Sequence, residues 1–238
     1  MEEITFWQLI SFGEHGWGKL LLIGTGMTLA LASCGFLLGA FIGTLGAWSK
    51  ICGNRPIRYL ADGYTTITRG IPDLLIIYLL YFGGSSALTM LGKLFGNEGF
   101  IGFPGFLAGV FAVGVSSGAQ QTEVFRGAFY AVSRGEIEAA KACGMPTLLR
   151  LRRIIVPLLL RHAIPSLGNV WQLVLKTSAL VSVTGVAELL TQSQTGAGST
   201  GKPFDFFMAA AILYLIISIC SGWIMRRAES YYSRGVKR

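Results

Sequence analysis

The amino-acid sequence predicts an all-α polytopic membrane protein with about five transmembrane helices. Of its 238 residues, 52% are hydrophobic and 13% are charged, and the mean hydropathy is +0.57. An ordinary soluble domain has about 25% charged residues. The 32 glycines follow no collagen-like period, and small residues in so apolar a chain are typical of closely packed membrane helices. The composition therefore argues against a water-soluble enzyme.

Five apolar stretches approach the length of a membrane span, which is about 20 residues for a bilayer core of about 30 Å. They lie at about 20–48, 59–91, 106–130, 167–190 and 204–225. The last is the clearest, because no charge other than Asp205 interrupts it. The second is poorly bounded: the run from Arg69 to Pro72 either breaks a long span or ends an interfacial segment, leaving 72–91 as the span. We interpret residues 1–238 as a single transmembrane domain.

Small residues at helical spacing predict where the first and third spans touch other helices. They are Gly35, Gly39, Gly43, Gly105, Gly109, Gly114 and Gly118. Small residues let two helix backbones approach closely, so we expect these faces to pack tightly within or between subunits.

Basic residues between the spans predict the orientation, because Lys and Arg accumulate on the cytoplasmic side. They are concentrated after the first span, in the loop after the third span and in the tail: Lys50, Arg55, Arg58, Arg134, Lys141, Arg150, Arg152, Arg153, Arg161, Arg226, Arg227, Arg234, Lys237 and Arg238. The opposite side holds Lys19, Lys93 and Lys202. We therefore expect a periplasmic N-terminus and a cytoplasmic C-terminus. The same distribution explains the net charge of +8 without a nucleic-acid partner.

The residues that would support a metal site or catalysis are not grouped in the sequence. The cysteines are far apart, at Cys34, Cys52, Cys143 and Cys220. With only His15 and His162 to assist them, we expect no metal site and no disulfide framework. The chain lacks the G-x-x-x-x-G-K-[ST] loop that holds nucleotide phosphates, and it lacks HExxH and GxSxG. We therefore expect no catalytic residue and no cofactor bound by this chain.

The loop at about 131–165 is predicted to fold as two short helices. Ser133 and Glu136 have the S-x-x-E spacing of a capping box at the start of the first helix. Gly144 can adopt the left-handed conformation that ends this helix, and Pro146 suits the first turn of the second. The apolar residues of the second helix share one stripe: Leu148, Leu151 and Ile155. We expect this second helix to lie at the membrane surface.

The same loop carries a resemblance to a known family. The pattern runs Glu138-Ala139-Ala140, three residues, Gly144, nine residues and then Ile154-x-Val156-Pro157. It is similar to the EAA signature of ABC importer permeases, which is usually written EAA, x3, G, x9, I-x-L-P. Only Val156 departs from that pattern. In this family the loop is a coupling helix that docks into a groove of a separate ATPase subunit. The resemblance implies that this chain meets the ATPase through Glu136, Glu138, Ala139, Ala140, Gly144 and Pro157.

The resemblance covers most of the chain and points to the polar amino-acid branch. Segments Gly63–Leu74, Thr122–Phe129, Asn169–Ser182 and Arg234–Arg238 look like the HisQ-type subunit of histidine and lysine/arginine/ornithine importers. The branch includes octopine and nopaline permeases, and the motifs do not separate these substrates. It implies a type I ABC importer permease fold in the bacterial inner membrane, surrounded by lipid. It also implies a second related permease as heterodimer partner, two ATPase subunits that use ATP and Mg, and a periplasmic solute-binding protein.

Ionisable groups at membrane depth cost a few kcal/mol each, so each needs a partner or a watery cavity. Glu123 and Arg126 are three residues apart, a spacing that permits a local ion pair. Arg69 and Asp73 are four residues apart, and Asp73 follows Pro72, which suits a helix N-terminus. We interpret Arg69, Asp73 and Arg126 as structural charges within the membrane.

Lys176 differs from these charges, because no acid lies within a turn or two of it on the same predicted helix. Its partner is either a carboxylate ligand in transit or an acid across the bundle, Glu123 or Asp73. The third and fourth spans also carry polar residues that could line a path: Gln120, Gln121, Thr122, Asn169 and Gln172. The candidates for contact with a polar, cationic amino-acid derivative are Gln120, Glu123, Asn169, Gln172 and Lys176.

These observations predict the permease subunit of an ATP-driven importer for basic amino acids or arginine-derived opines. The alternative is a secondary amino-acid transporter driven by an ion gradient. Such a carrier would explain the intramembrane charges equally well, but it would not need the EAA register.

Overall fold

A computed structural model describes residues 6–13, 16–97 and 99–232 of the chain. Its helices are α1 (Phe6–Leu9), α2 (Gly18–Cys52), α3 (Arg55–Gly70), α4 (Asp73–Leu94), α5 (Gly105–Ala131), α6 (Arg134–Ala142), α7 (Thr147–Arg150), α8 (Val156–Ser178), α9 (Leu189–Thr200) and α10 (Pro203–Tyr232). A π-helical turn (Leu151–Ile155) joins α7 to α8, and a 3-10 segment (Ala179–Thr184) follows α8. The predicted all-α class is confirmed. The tail arginines and lysine at 234, 237 and 238 and His15 lie outside the described residues.

The centre of the bundle is the close packing of α2 against α5. A Cβ added at Gly39 would lie 2.2 Å from Ser117 Oγ, and one added at Gly43 would lie 2.7 Å from Gln121 Cβ. Such distances leave no room for a side chain, so the glycines allow the two backbones to approach each other. The predicted contact faces of the first and third spans are therefore confirmed.

Around this pair, α5 also packs against α3, α4 and α8, and α10 packs against α8 and α9. The rings of Phe36 on α2 and Trp171 on α8 meet edge to face at 5.5 Å. The apolar core that joins these helices includes the buried side chains Leu31, Ile77, Val113, Val170, Val174, Leu175 and Val181.

Within the described part of the chain, four helical stretches are long and apolar enough to cross a membrane: Gly18–Cys52, Asp73–Leu94, Thr147–Thr184 and Pro203–Tyr232. Helix α5 has 27 residues but is more polar in its second half, and it packs among α2, α3, α4 and α8. Several of its polar side chains are buried among these helices: Ser116, Ser117, Gln121 and Thr122. The number of crossings and the orientation of the chain stay predictions.

The second apolar stretch, predicted at 59–91, is divided at Pro72. Helix α3 ends at Gly70, Ile71 is extended, and α4 begins at Asp73. Proline has no N–H and forces the preceding residue out of the helical region, which explains the break. Helix α3 is amphipathic and is a separate segment, and of the two helices α4 alone is long and apolar enough to cross a membrane. Whether α3 is interfacial or part of a broken span stays a prediction.

Helix α6 ends as predicted but begins differently. Gly144 has a φ of 72°; its N–H donates to Lys141 O at 2.9 Å, and the Met145 N–H donates to Ala140 O at 3.2 Å. These two hydrogen bonds form a Schellman motif. Ser133 occupies the N-cap position, but its side chain makes no capping hydrogen bond. The predicted capping box is therefore not formed.

The prediction of a second, separate helix in this loop is wrong. The chain is helical without interruption from Thr147 to Thr184, a stretch of 38 residues. Pro157 has no N–H, so the carbonyl of Arg153 has no helical donor. The preceding π-helical turn accommodates this loss, because the Val156 N–H donates to Leu151 O, five residues back. The helix therefore continues past Pro157 into α8.

The fourth apolar stretch, predicted at 167–190, ends earlier than expected. Gly185 has a φ of 78°, which closes the 3-10 segment and turns the chain. The next residues open α9, whose first turn is capped by Glu188. Its carboxylate accepts hydrogen bonds from the N–H groups of Leu190 and Thr191 at 2.9 and 2.7 Å. Helix α9 packs against α2 and α10.

Gly144→Ala is expected to destabilise the α6–α7 junction by about 1 kcal/mol, because a side chain is unfavourable at positive φ. The added Cβ would meet nothing within 4 Å, so the cost is one of backbone conformation alone. Gly135→Ala, within α6 and without positive φ, is the matched control. Thermal unfolding of the purified protein measures both. Equal melting temperatures for the two variants would contradict the assignment.

Candidate functional site

A cavity of about 760 Å³ opens between the α3–α4 junction, α5 and α8. This volume is typical of sites for small molecules. The cavity follows α5 from Ala131, its last residue, to Ser116, a distance of about 22 Å at 1.5 Å per residue. The charged or titratable side chains that line it are Arg69, Asp73, Glu123 and His162. The polar uncharged ones are Thr68, Ser116, Gln120 and Ser166.

Asp73 lies at the end of the cavity nearest Ser116, in the first turn of α4. Its Oδ1 accepts a hydrogen bond from Ser116 Oγ, and its Oδ2 accepts one from Thr177 Oγ1 at 3.5 Å. Among the described residues, no Lys, Arg or His side chain lies within 4 Å of this carboxylate. The hydroxyls and the N-terminus of α4 stabilise its negative charge only in part. Asp73 is thus a carboxylate that faces a cavity without a counter-cation.

Arg69 and Asp73 do not form the ion pair that their spacing suggested, because the helix ends between them at Gly70. Arg69 is exposed and lines the same cavity. No acid among the described residues lies within 4 Å of its guanidinium. The site therefore presents one unpaired positive group and one unpaired negative group on the two sides of Pro72.

Glu123 lies between the cavity and a cluster of charges. Its Oε1 accepts from Lys50 Nζ at 2.5 Å, and its Oε2 accepts from Arg126 Nη2 and Nε at 2.6 and 2.9 Å. Lys50 Nζ also lies 2.8 Å from Asp62 Oδ1 and donates to Thr65 Oγ1 at 2.6 Å. We call Lys50, Asp62, Glu123 and Arg126 the charge cluster. It joins the end of α2, the middle of α3 and the last third of α5.

The ion pair predicted for Glu123 and Arg126 is present, but the sequence interpretation missed Lys50 and Asp62. Lys50 was counted as a solvated linker residue, whereas it is 7% exposed. The sequence contains a signal for this contact. Asn54 caps α3 and Pro56 lies in its first turn, so a new helix begins there and the chain reverses between Lys50 and Asp62. Both residues are thereby placed at the same end of the bundle.

Of the predicted path residues, Gln120 and Glu123 line the cavity, and the other three do not. Lys176 and Gln172 lie in a groove between α8 and α10, and Asn169 is exposed in a neighbouring groove. Gln172 exchanges two hydrogen bonds with Ser218, at 3.1 and 2.5 Å. The ion pair of Lys176 with Glu123 or Asp73 is not formed among the described residues. That alternative was wrong because Lys176 faces away from the cavity.

Of the other polar residues of α5, Gln121 bonds to a neighbouring helix and Thr122 bonds within α5. Gln121 and Thr122 are fully buried. Gln121 Nε2 donates to Phe36 O on α2 at 3.1 Å, and Thr122 Oγ1 donates to Gly118 O at 2.8 Å. Neither lines the cavity.

The residues assigned to ATPase coupling lie mostly on an exposed surface. Ala140 is 6% exposed, and the others are exposed: Glu136, Glu138, Ala139, Gly144 and Pro157. Helix α6 packs only lightly, against α7 and the π-helical turn. Beside it, the apolar Leu148 is 77% exposed. This end of the molecule presents small and apolar groups that a protein partner could cover.

Comparison with known proteins gives the family. Residues 35–233 match the family described as binding-protein-dependent transport system inner membrane component. The octopine transport system permease protein OccQ of Rhizobium radiobacter is 52% identical over 231 residues, 97% of this chain and 98% of OccQ. The nopaline permease NocQ of Agrobacterium fabrum is 45% identical, covering 96% and 98% of the two chains. The histidine/lysine/arginine/ornithine permease HisQ of Escherichia coli is 38% identical, covering 94% and 98%.

Solved structures show the same relationship. The crystal structure of an amino acid ABC transporter with histidines has a TM-score of 0.78 and 28% identity, covering 96% of this chain and 99% of that one. The MetNI methionine ABC transporter, at a TM-score of 0.67 and 18% identity, shares the fold. The chain therefore belongs to the family of binding-protein-dependent transport system inner membrane components, the permeases of ABC transporters.

Proposed function

We propose that this chain is one of two related permease subunits of an ATP-driven importer in the bacterial inner membrane. Its cavity would carry a cationic amino acid or an arginine-derived opine toward the cytoplasm. The observation that carries the proposal is the Asp73 carboxylate, which faces the 760 Å³ cavity without a counter-cation among the described residues.

A carboxylate at membrane depth is costly unless it is paired or solvated. A guanidinium or ammonium group in the cavity would supply the missing positive charge. A guanidinium suits this position well, because its planar donors match a carboxylate with two parallel hydrogen bonds. Ser116 and Thr177 hold Asp73 in place, and each carboxylate oxygen keeps a lone pair for the ligand.

Arg69 supplies the complementary charge for the carboxylate of the same ligand. An amino acid with a basic side chain carries both kinds of charge, and so does an opine derived from arginine. The relatives OccQ, NocQ and HisQ are named for octopine, nopaline and histidine/lysine/arginine/ornithine transport, which are ligands of this chemical class.

The energy would come from two separate ATPase subunits that use ATP and Mg, because this chain has no nucleotide-binding loop. The exposed helix α6, with the EAA residues Glu138, Ala139 and Ala140, is the surface on which we place the ATPase. A periplasmic solute-binding protein would deliver the ligand. A carrier driven by an ion gradient would need no such exposed helix.

Asp73→Asn is expected to lower the uptake of arginine or octopine at least about tenfold, because a neutral amide forfeits the charge-assisted bond, worth about 1.5–3 kcal/mol. The measurement is ATP-dependent uptake of labelled ligand into proteoliposomes that contain the whole complex and its binding protein. Asp205→Asn is the matched control, since Asp205 also lies in the first turn of a helix, α10, away from the cavity. The control should transport normally.

Two results would contradict the proposal. Unchanged uptake of both ligands by Asp73→Asn would show that the cation does not meet this carboxylate. Uptake that needs an ion gradient and proceeds without ATP would favour the secondary transporter instead.

A further inference from the structure

Lys176 lies near the middle of the bundle, measured along α2. On one side of it in sequence, Trp171 packs edge to face against Phe36 at 5.5 Å. On the other side of Lys176 in sequence, Val181 packs against Gly109 of α5, and Leu31 of α2 packs against the same glycine. Phe36 and Leu31 are both near the midpoint of α2, which runs from Gly18 to Cys52. Lys176 is thus about as far as possible from both ends of the membrane-spanning helices.

The Lys176 side chain is exposed on the outside of the bundle. It lines a groove of about 560 Å³ between α8 and α10, and no acid among the described residues lies within 4 Å of its ammonium group. The polar neighbours in the groove are already occupied: Gln172 and Ser218 bond to each other, and Tyr214 donates to Glu188 at 3.2 Å. None of them supplies a negative charge to Lys176.

Glu188 is not available as the counter-ion. It is fully buried, and its oxygens accept the N–H groups of Leu190 and Thr191. The cavity of the proposed function does not supply the counter-ion either. That cavity uses one face of α8, with His162, Ser166 and Val170, whereas the groove uses another, with Gln172 and Lys176.

A lysine that faces lipid at the centre of a helix costs about 2.5–3.5 kcal/mol on insertion scales. The charge at this depth therefore indicates that another polypeptide covers the groove. Half of the groove lining is apolar, with Leu175, Ala179, Ala211 and Leu215, which suits the packing of a membrane helix around a buried ion pair.

We propose that Lys176 forms an ion pair inside the membrane with a carboxylate on the second permease subunit, and that the groove between α8 and α10 is the face on which that subunit docks. The inference rests on the proposed assembly of two permease chains. It goes beyond that assembly by naming the surface and the charge that the partner must carry.

The test uses the complete complex, purified through an affinity tag on this chain. Lys176→Glu places two negative charges opposite each other, and we expect the amount of co-purified second permease to fall at least about tenfold. Lys176→Arg keeps the charge and should retain the second permease. Lys93→Glu, in the last turn of α4 and outside the groove, is the control and should leave the amount unchanged.

The decisive result is rescue: one substitution of an acidic residue by Lys in a membrane helix of the second permease restores co-purification with Lys176→Glu. Equal co-purification by Lys176→Glu and the unaltered chain overturns the ion pair and leaves the proposed function standing. A complex that stays intact while only the KM for the ligand changes assigns Lys176 to the transport path instead. If even the unaltered chain retains no second permease, the proposed assembly itself is wrong.

A second variant covers the case in which Lys176→Glu does not fold. Lys176→Cys is neutral and smaller, and it is introduced into a chain whose exposed native cysteines are replaced by serine: Cys34, Cys52, Cys143 and Cys220. Cysteines are then placed at each acidic position in the membrane helices of the second permease. A crosslink at one of them supports the pair, and its absence at all of them refutes it.

Discussion

Gly43→Val is expected to prevent stable packing of α2 against α5, whereas Gly26→Val in the same helix is tolerated. A Cβ at Gly43 would lie 2.7 Å from Gln121 Cβ and 3.1 Å from the Gln121 carbonyl carbon and the Thr122 nitrogen. These atoms belong to the backbone or adjoin it, so no change of side-chain rotamer removes the clash. Overpacking of this kind costs about 1–3 kcal/mol, and more where the backbone must move.

We place the cost of Gly43→Val at about 3 kcal/mol, because separating the helices also breaks the hydrogen bond from Gln121 to α2. At Gly26 an added Cβ meets nothing within 4 Å. Both substitutions replace glycine by valine inside α2, so the intrinsic helix propensity changes equally. Thermal stability in detergent and the yield of folded protein in membranes measure the difference. Equal losses for both variants would refute the tight packing of α2 and α5.

Lys50→Met is expected to destabilise the protein by about 3 kcal/mol, because it leaves the carboxylate of Glu123 with less compensation in a poorly solvated site. We expect the low end of the usual range, since Arg126 still pairs with Glu123. The contact with Asp62 adds little, because the Asp62 side chain is about half exposed. The substitution also releases α3 from α2, since Lys50 joins the two helices.

A double-mutant cycle gives the measurement for Lys50. The variant that combines Lys50→Met with Glu123→Gln should be more stable than Lys50→Met alone, because it removes the carboxylate that Arg126 alone compensates only in part. Lys141→Met, at an exposed position of α6, is the control and should change the stability little. Additive effects of the two substitutions, with no coupling, would show that the buried contact contributes nothing.

Hydropathy and glycine spacing were sufficient to predict most of the bundle. The five apolar stretches correspond to α2, α4, α5, α8 and α10, because about twenty apolar residues in a row have few other stable environments. The spacing of Gly35, Gly39 and Gly43 predicted the contact face of α2. Gly144 was assigned correctly, since its left-handed conformation depends only on local backbone geometry.

Features that depend on distant parts of the chain were missed. Pro157 is a local signal for a helix end, but the π-helical turn before it lets the helix continue into the packed core. Arg69 and Asp73 have the spacing of a helical pair, but Pro72 separates them. The charge cluster brings together Lys50 and Glu123, which are 73 residues apart, and no local pattern marks such a contact.

The uninterrupted helix from Thr147 to Thr184 supplies one wall of the cavity. His162 and Ser166 belong to that continuous helix, on the two sides of Pro165, and they follow the π-helical turn and Pro157, where a helix can bend. The facing wall is carried by α3 and α4, which meet at an extended Ile71 and can bend there. Both walls pack against α5, so a bend at Ile71 on one side, or at the prolines of α8 on the other, would change the width of the cavity.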